Sequence, residues 1–316
     1  MIRTAVIGVG YLGRFHAQKY ASLPNSQLVA IADPSTAARA AVAAELKVAA
    51  HEDYRDLLGK VDAVSIVTPT PSHFEVAKAF LEAGASVLVE KPMTVTIAEG
   101  EGLIEIASRL KRILQVGHLE RFNAAVLAVQ PTLTVPRFIE SARLAPFKHR
   151  GTEVDVVLDL MIHDIDLILS IVRSPVVSVD AIGTSVFSSE IDIANARLRF
   201  ENGCVANVTA SRVSLKTERK LRIFEDDAYL SLDLQQKILT LIRKRPAGEL
   251  SGALPVSIEE QSLEPGDALK AEIDSFLKCA RTGAPPVVTG EAGLRALETA
   301  TRITEQVEAA LAQRAH

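Results

Sequence analysis

The chain has 316 residues, 48% apolar and 23% charged, an ordinary globular composition with length for about two domains. Its 35 basic and 39 acidic residues give a net charge of −4, which argues against nucleic acid or an anionic membrane as partner. Two cysteines without a pairing motif, no signal-peptide start and no apolar run near the roughly 20 residues of a membrane span point to a cytoplasmic protein without a disulfide framework.

Residues 4–7, 28–32, 63–67, 87–89 and 113–116 are short, continuous apolar runs, as expected of parallel strands buried on both faces. Helical patterns separate them. One covers 35–47 and starts at Asp33-Pro34-Ser35; another covers 72–83, with Ser72 at its head and Gly84 beyond its end. This alternation predicts an α/β protein whose residues 1–120 form a Rossmann-type, doubly wound parallel sheet. A strong helix is predicted over 154–172. Strand-like segments follow at 176–186, 193–200, 205–211, 220–224, 229–232 and 238–242, with Asn202-Gly203 and Asp226-Asp227 where hairpin turns belong. Helices over 267–282 and 290–314 close the chain. Residues 121–316 thus read as a second α/β domain with a large, mostly antiparallel open sheet, assigned to substrate binding and oligomerisation. An apolar outward sheet face would mark assembly as a homodimer or homotetramer.

Gly8-Val9-Gly10-Tyr11-Leu12-Gly13 follows the first strand and opens a helix, the setting in which G-x-G-x-x-G cradles a dinucleotide pyrophosphate. Gly8 permits the turn, Gly10 lets backbone approach phosphate, and Gly13 lets the helix pack closely. Asp33 lies 20 residues beyond Gly13, a spacing suited to an adenosine ribose 2′-hydroxyl. A 2′-phosphate would be repelled there, so NAD is favoured over NADP, with Arg39 one helical turn away as the counter-argument. The bland alternative is a structural glycine turn.

Glu90-Lys91-Pro92 follows the run 87–89, at the rim where open α/β sheets bind ligands. Near an oxidised nicotinamide the pKa of Lys91 would fall, letting it bond a reacting hydroxyl or pass on its proton. An exposed turn lysine is the plain alternative. Asp155, Asp159, His163 and Asp166 are spaced by 4, 4 and 3 and fall on one helix face, with Asp164 almost opposite. Asp159 one turn before His163 makes a dyad in which Asp159 orients the imidazole and His163 acts as general base. A solvated polar face and a D-x3-H-x2-D metal set are the alternatives; no metal is assigned. In Gly117-His118-Leu119-Glu120-Arg121-Phe122-Asn123, Arg121 suits a substrate diphosphate or an ion pair with a neighbour, and Asn123 suits sugar hydroxyls. The locally basic run 147–152 is either a phosphate contact or a solvated loop.

The glycine loop, Asp33, Thr68-Pro69-Thr70-Pro71-Ser72-His73 and Glu90-Lys91-Pro92 together resemble the Gfo/Idh/MocA oxidoreductases over nearly the whole chain. The resemblance implies hydride transfer between NAD(P) and a carbon bearing a sugar or cyclitol hydroxyl. It implies that Gly8, Gly10, Tyr11, Leu12, Gly13, Asp33, Thr68, Pro69, Thr70, His73, Glu90 and Lys91 line the cofactor, with 68–73 under its nicotinamide half. It makes Lys91, Asp159 and His163 catalytic. The G-H-x-E-R-F-N wording is similar to a subgroup that oxidises UDP-N-acetylglucosamine at C3 for lipid A precursors. That implies substrate contacts at His118, Arg121, Asn123, Asp159 and His163, and coupling to a PLP-dependent aminotransferase. Two departures stand out: Leu160-Met161 where many relatives have glycine, and Ala124 where the subgroup often has proline. Inositol or another sugar as substrate, transient oxidation within a glycosidase, and a redox sensor without turnover are the rival readings.

Overall fold

The apolar runs of the first third lie side by side in a computed structural model that describes residues 1–148, 154–245 and 255–314. In order they are β1 (Ile2–Ile7), β2 (Ser26–Ala32), β3 (Ala49–His51), β4 (Ala63–Ile66), β5 (Ser86–Glu90) and β6 (Leu114–Gly117). All pair in parallel, in the order β3-β2-β1-β4-β5-β6. That is the doubly wound order of dinucleotide-binding sheets. The connecting helices are α1 (Tyr11–Ser22), α2 (Thr36–Leu46), α3 (His73–Glu82) and α4 (Ile97–Leu110). Local chemistry sets their starts. Ser35 caps α2 by accepting from the Ala38 N–H, and Thr96 with Glu99 forms a capping box on α4, each cap worth about 1 kcal/mol. The sequence reading omits β3 because it is three residues long, sits at the edge and is largely exposed, so no buried apolar run marks it.

Beyond β6 come α5 (Ala124–Val129), β7 (Phe138–Leu144), a π-helical turn over Val157–Met161 and α6 (Ile162–Val172). Then follow β8 (Val176–Thr184), β9 (Ile193–Phe200), β10 (Val205–Ser211), β11 (Glu218–Phe224), β12 (Ala228–Asp233), β13 (Ile238–Lys244) and β14 (Val256–Ser262). Two helices, α7 (Ala268–Thr282) and α8 (Gly290–Arg314), end the chain. Among the described residues these strands form one eight-stranded sheet, β14-β13-β12-β11-β7-β10-β9-β8, antiparallel except for the β7–β10 pair. Alternation is clear in β9, β10 and β12. Ala194, Ala196, Leu198, Val208 and Leu230 point to a core shared with Ile162, Ile165, Ile168, Ile303 and Val307.

Two differences from the sequence reading matter. The chain divides into two compact units, residues 1–119 with 267–294, and 120–266 with 295–316. α7 thus belongs with the first unit, where Ile273, Phe276 and Leu277 pack on Ala17 and Tyr20 of α1; the sequence reading runs the second domain unbroken from 121 to 316. The open face of the large sheet is also polar along its centre rather than apolar. There Arg197 donates to Asn207, Asn195 to Thr209 and Arg222 to Glu140. Among the described residues no helix is long and apolar enough to cross a membrane.

Candidate active site

In the first unit the glycine loop has the geometry its spacing predicts. Gly8 has φ +82°, and a Cβ there would lie 2.7 Å from the Val67 carbonyl oxygen. A Cβ on Gly13 would overlap the Gly8 carbonyl, so α1 rests directly on the turn. A Cβ on Gly10 would meet nothing within 4 Å; it would project into open space at the helix N-terminus. Gly10 is the N-cap of α1, no side chain caps the helix, and its first turn holds no acidic residue. Uncapped N–H groups, an open approach and no competing carboxylate fit a pyrophosphate. Tyr11 and Leu12 are exposed beside this opening. Asp33 is half-buried, its Oδ2 accepting from the Val9 N–H at 2.8 Å and its Oδ1 from the Ser35 N–H at 2.7 Å. Each oxygen keeps a lone pair for a ribose hydroxyl.

Glu90 and Lys91 sit where β5 ends, followed by a cis Lys91–Pro92 peptide. Glu90 faces inward: His16, one turn into α1, donates from Nε2 to Glu90 Oε1 at 3.1 Å. His16 Nδ1 meets Ser65 Oγ at 3.1 Å, and Ser65 Oγ meets Tyr20 Oη at 2.8 Å. Burial pushes the Glu90 carboxyl up, but the His16 bond and the charges of His16 and Lys91 outweigh it and hold it below the usual range. Gly117 leaves room for this carboxylate, since a Cβ there would lie 2.8 Å from Glu90 Oε1. The backbone that presents Lys91 is therefore tied to the glycine-loop helix through a buried polar chain. His16 is a residue the sequence reading misses, although a histidine three positions after Gly13 on a helix facing the sheet is a usable signal.

His73, read from the resemblance as a cofactor contact, is buried instead. Its ring nitrogens lie 2.9 Å from the carbonyls of Pro92 and Thr68, so it ties the 68–73 loop to the segment after Lys91. Burial lowers its pKa. Thr68 and Thr70 remain half-buried and Pro69 exposed, while Ser72 donates to Thr68 Oγ1 at 2.7 Å. His118 is buried at the end of β6.

In the second unit the predicted polar stripe splits into parts with different tasks. Asp155 is a cap: its Oδ1 accepts from the N–H groups of Val157 at 2.7 Å and Leu158 at 3.0 Å. Asp166 accepts from Arg121 Nε at 2.6 Å and Nη2 at 2.8 Å. Asp164 accepts from Arg143 Nε and Nη2, both at 2.9 Å, while Arg143 Nη1 donates to Glu120 at 3.0 Å. Burial alone would lower the pKa of Arg143; Asp164 and Glu120 outweigh it and raise it. Asp159 and His163 are left half-buried, at the π-helical turn and the first turn of α6. A π turn adds a residue to the helical repeat, so a stripe counted at α-helical spacing does not run true through it. Asp166 is spent on Arg121, which removes it from any D-x3-H-x2-D ligand set; among the described residues no three His, Cys, Asp or Glu gather to hold a metal.

Two residues expected to contact substrate have partners within the second unit. Arg121 is the fork that holds Asp166, the ion-pair alternative. Asn123 is the N-cap of α5: Oδ1 accepts from the Ala125 N–H at 3.1 Å, and Nδ2 donates to Glu120 and to the Leu234 carbonyl, both at 2.9 Å. Both amide hydrogens are used, which leaves no donor for a sugar. Lower in the unit, Arg212 Nη1 donates to the Val154 carbonyl at 2.7 Å and its Nε to Asp192 at 2.8 Å, anchoring the approach to the helix. The basic run 147–152 lies mostly outside the described residues; of it, Phe147 packs edge-on against Phe187 and Lys148 is exposed.

The Gfo/Idh/MocA model described as an oxidoreductase family with an NAD-binding Rossmann fold matches residues 2–118, and the Gfo/Idh/MocA C-terminal domain matches 126–231. The chain is 43% identical over 311 residues to UDP-N-acetylglucosamine 3-dehydrogenase of Acidithiobacillus ferrooxidans, covering 98% of each. A solved structure of that enzyme matches with a TM-score of 0.91 at 41% identity, again over 98% of each chain. The scyllo-inositol 2-dehydrogenase (NAD(+)) of Bacillus subtilis is 26% identical, over 91% of this chain and 89% of that one. The Lactobacillus casei scyllo-inositol dehydrogenase structure with bound NAD(H) and scyllo-inositol shares the fold, at a TM-score of 0.78 and 22% identity.

Proposed function

The chain belongs to the Gfo/Idh/MocA family of NAD-binding oxidoreductases, and on that premise we propose that it oxidises UDP-N-acetylglucosamine at the C3 hydroxyl with NAD. The likeness to UDP-N-acetylglucosamine 3-dehydrogenase along 98% of both chains supports this substrate over a cyclitol. The residues assigned to catalysis are Lys91, Asp159 and His163. His163 takes the hydroxyl proton, and Asp159, four residues before it, orients the ring. Lys91 supports the developing alkoxide by its charge. Bound nicotinamide supplies the acceptor for the carbon-bound hydride.

The observation that carries the chemistry is the division of labour on one helix. Asp164 and Asp166 are fixed by arginines and Asp155 by backbone N–H groups, while Asp159 and His163 stay half-buried. Fixing the helix through its non-reacting carboxylates holds the reacting pair in one orientation, which is where positioning lowers a barrier. The 3-keto sugar suits a PLP-dependent aminotransferase as next enzyme, within lipid A precursor synthesis, and the protein would act in the cytoplasm as a homodimer or homotetramer. Turnover of UDP-N-acetylglucosamine against inositol tests the substrate. His163→Asn and Lys91→Met test the roles: turnover should fall by about 100-fold or more while NADH binding persists. Unchanged turnover would remove them from the reaction.

A further inference from the structure

The adenosine end of a Rossmann site lies beyond the carboxyl ends of the central strands. There the chain closes a ring of side-chain and backbone bonds. Asp33, the residue after β2, donates its N–H to the carbonyl of His51, the last residue of β3, at 3.1 Å. Glu52 comes next and accepts from Arg39 Nη2 at 2.8 Å. Arg39 Nη1 donates to the carbonyls of Asp33 at 3.2 Å and Pro34 at 2.8 Å, which completes the ring. The Arg39 side chain is 17% exposed and that of Glu52 is 73% exposed. Arg39 is thus a packed cation with assigned partners, not a side chain ranging through solvent.

An arginine in this place has two possible tasks. Released, its fork takes a 2′-phosphate. Held by two carbonyls and a carboxylate, it braces the turn that carries Asp33. The rim then holds one cation against two carboxylates, Asp33 and Glu52. A phosphate monoester of about −1.5 to −2 charges meets net repulsion there. A ribose hydroxyl does not, and can donate to Asp33.

We propose that Glu52 is a specificity-determining residue: by neutralising Arg39 it completes, with Asp33, the exclusion of a 2′-phosphate and so favours NAD(H) over NADP(H). The proposal rests on the first unit binding a nicotinamide dinucleotide, as read above. It also gives the short, exposed strand β3 a task, since that strand places Glu52 opposite Arg39.

The test is direct binding of NADH and of NADPH to the full-length protein, followed by nicotinamide fluorescence at low ionic strength, where screening is weak. Wild type should bind NADH more tightly than NADPH. Glu52→Gln should tighten NADPH about fivefold and change NADH by less than about twofold, in keeping with one partly exposed charge. Glu52→Gln combined with Arg39→Met should lose that gain. An unchanged NADPH-to-NADH ratio in Glu52→Gln would overturn the proposal. So would a wild type that prefers NADPH, or a gain that survives removal of Arg39. Wild type binding neither dinucleotide would overturn the cofactor reading itself, and the proposal with it.

Discussion

Arg121 grips Asp166 with both sides of its fork, Nε on one carboxylate oxygen at 2.6 Å and Nη2 on the other at 2.8 Å. Arg143 holds Asp164 in the same way, at 2.9 Å on each side. His163 therefore directly precedes Asp164, and both Asp164 and Asp166 are held by arginine forks. The segment that most resembles a substrate-binding signature, residues 117–123, contributes Arg121 to this arrangement, and Glu120 to the Arg143 side of it.

A positioning arginine and a substrate-binding arginine fail differently when replaced. Arg121→Met should lower kcat by about tenfold or more and change the KM for the nucleotide sugar little, because what is lost is orientation. A diphosphate contact would instead raise KM with kcat kept. Asp166 would be left buried without its cation, at a cost of about 3–5 kcal/mol. Arg121→Met with Asp166→Leu should recover much of that stability without recovering kcat. Steady-state kinetics and denaturant melts on the single and double variants read both effects.

Asp192 gives a pH dependence with a definite sign. Burial pushes its carboxyl up, but Ser188 and the N–H groups of Phe187, Ser188 and Val186 outweigh it and hold it well below the usual carboxylate range. A depressed folded pKa contributes stability that is fully present above the unfolded pKa and is lost as pH falls through the folded one. Asp192→Asn should cost about 3 kcal/mol near neutrality, since it also leaves Arg212 buried beside a neutral group. The gap in stability between wild type and variant should hold down to about pH 5 and shrink below about pH 4. Chemical denaturation across that range measures it.

Two glycines three positions apart in the chain, Gly10 and Gly13, should part company in experiment. Gly13→Ala drives a methyl into the Gly8 carbonyl and should lower the melting temperature, because backbone has to shift. Gly10→Ala meets nothing and should leave the melting temperature near wild type while weakening NADH binding about tenfold or more. Differential scanning fluorimetry and NADH titration separate the two. Equal effects of both on melting would remove the distinction between a packing glycine and a phosphate-approach glycine.

What the sequence made legible followed from local rules. Buried parallel strands appear as continuous apolar runs, so β1, β2, β4, β5 and β6 could be placed, and Asn202-Gly203 marked a turn with Gly203 at φ +85°. β7 escaped because Arg143 lies on its buried face, and a charge there breaks the apolar alternation that announces a strand. The same cause hid the aspartate grips: Arg121 and Asp166 are 45 residues apart, and Arg143 and Asp164 are 21 apart. Nothing in residue type distinguishes an arginine awaiting a diphosphate from one already committed to a carboxylate. The glycine loop and Asp33 were legible because glycines and a carboxylate at set spacings around a strand–turn–helix are a pattern written in the chain itself.

The most direct measurement is nicotinamide reduction by the purified protein with NAD and UDP-N-acetylglucosamine. A PLP-dependent aminotransferase and an amino donor would draw off the 3-keto product, with UDP-glucose and inositol run in parallel. Reduction that requires the N-acetylated nucleotide sugar is the predicted result. Reduction with inositol alone, or none with any of these compounds despite demonstrated NADH binding, would contradict the proposed reaction.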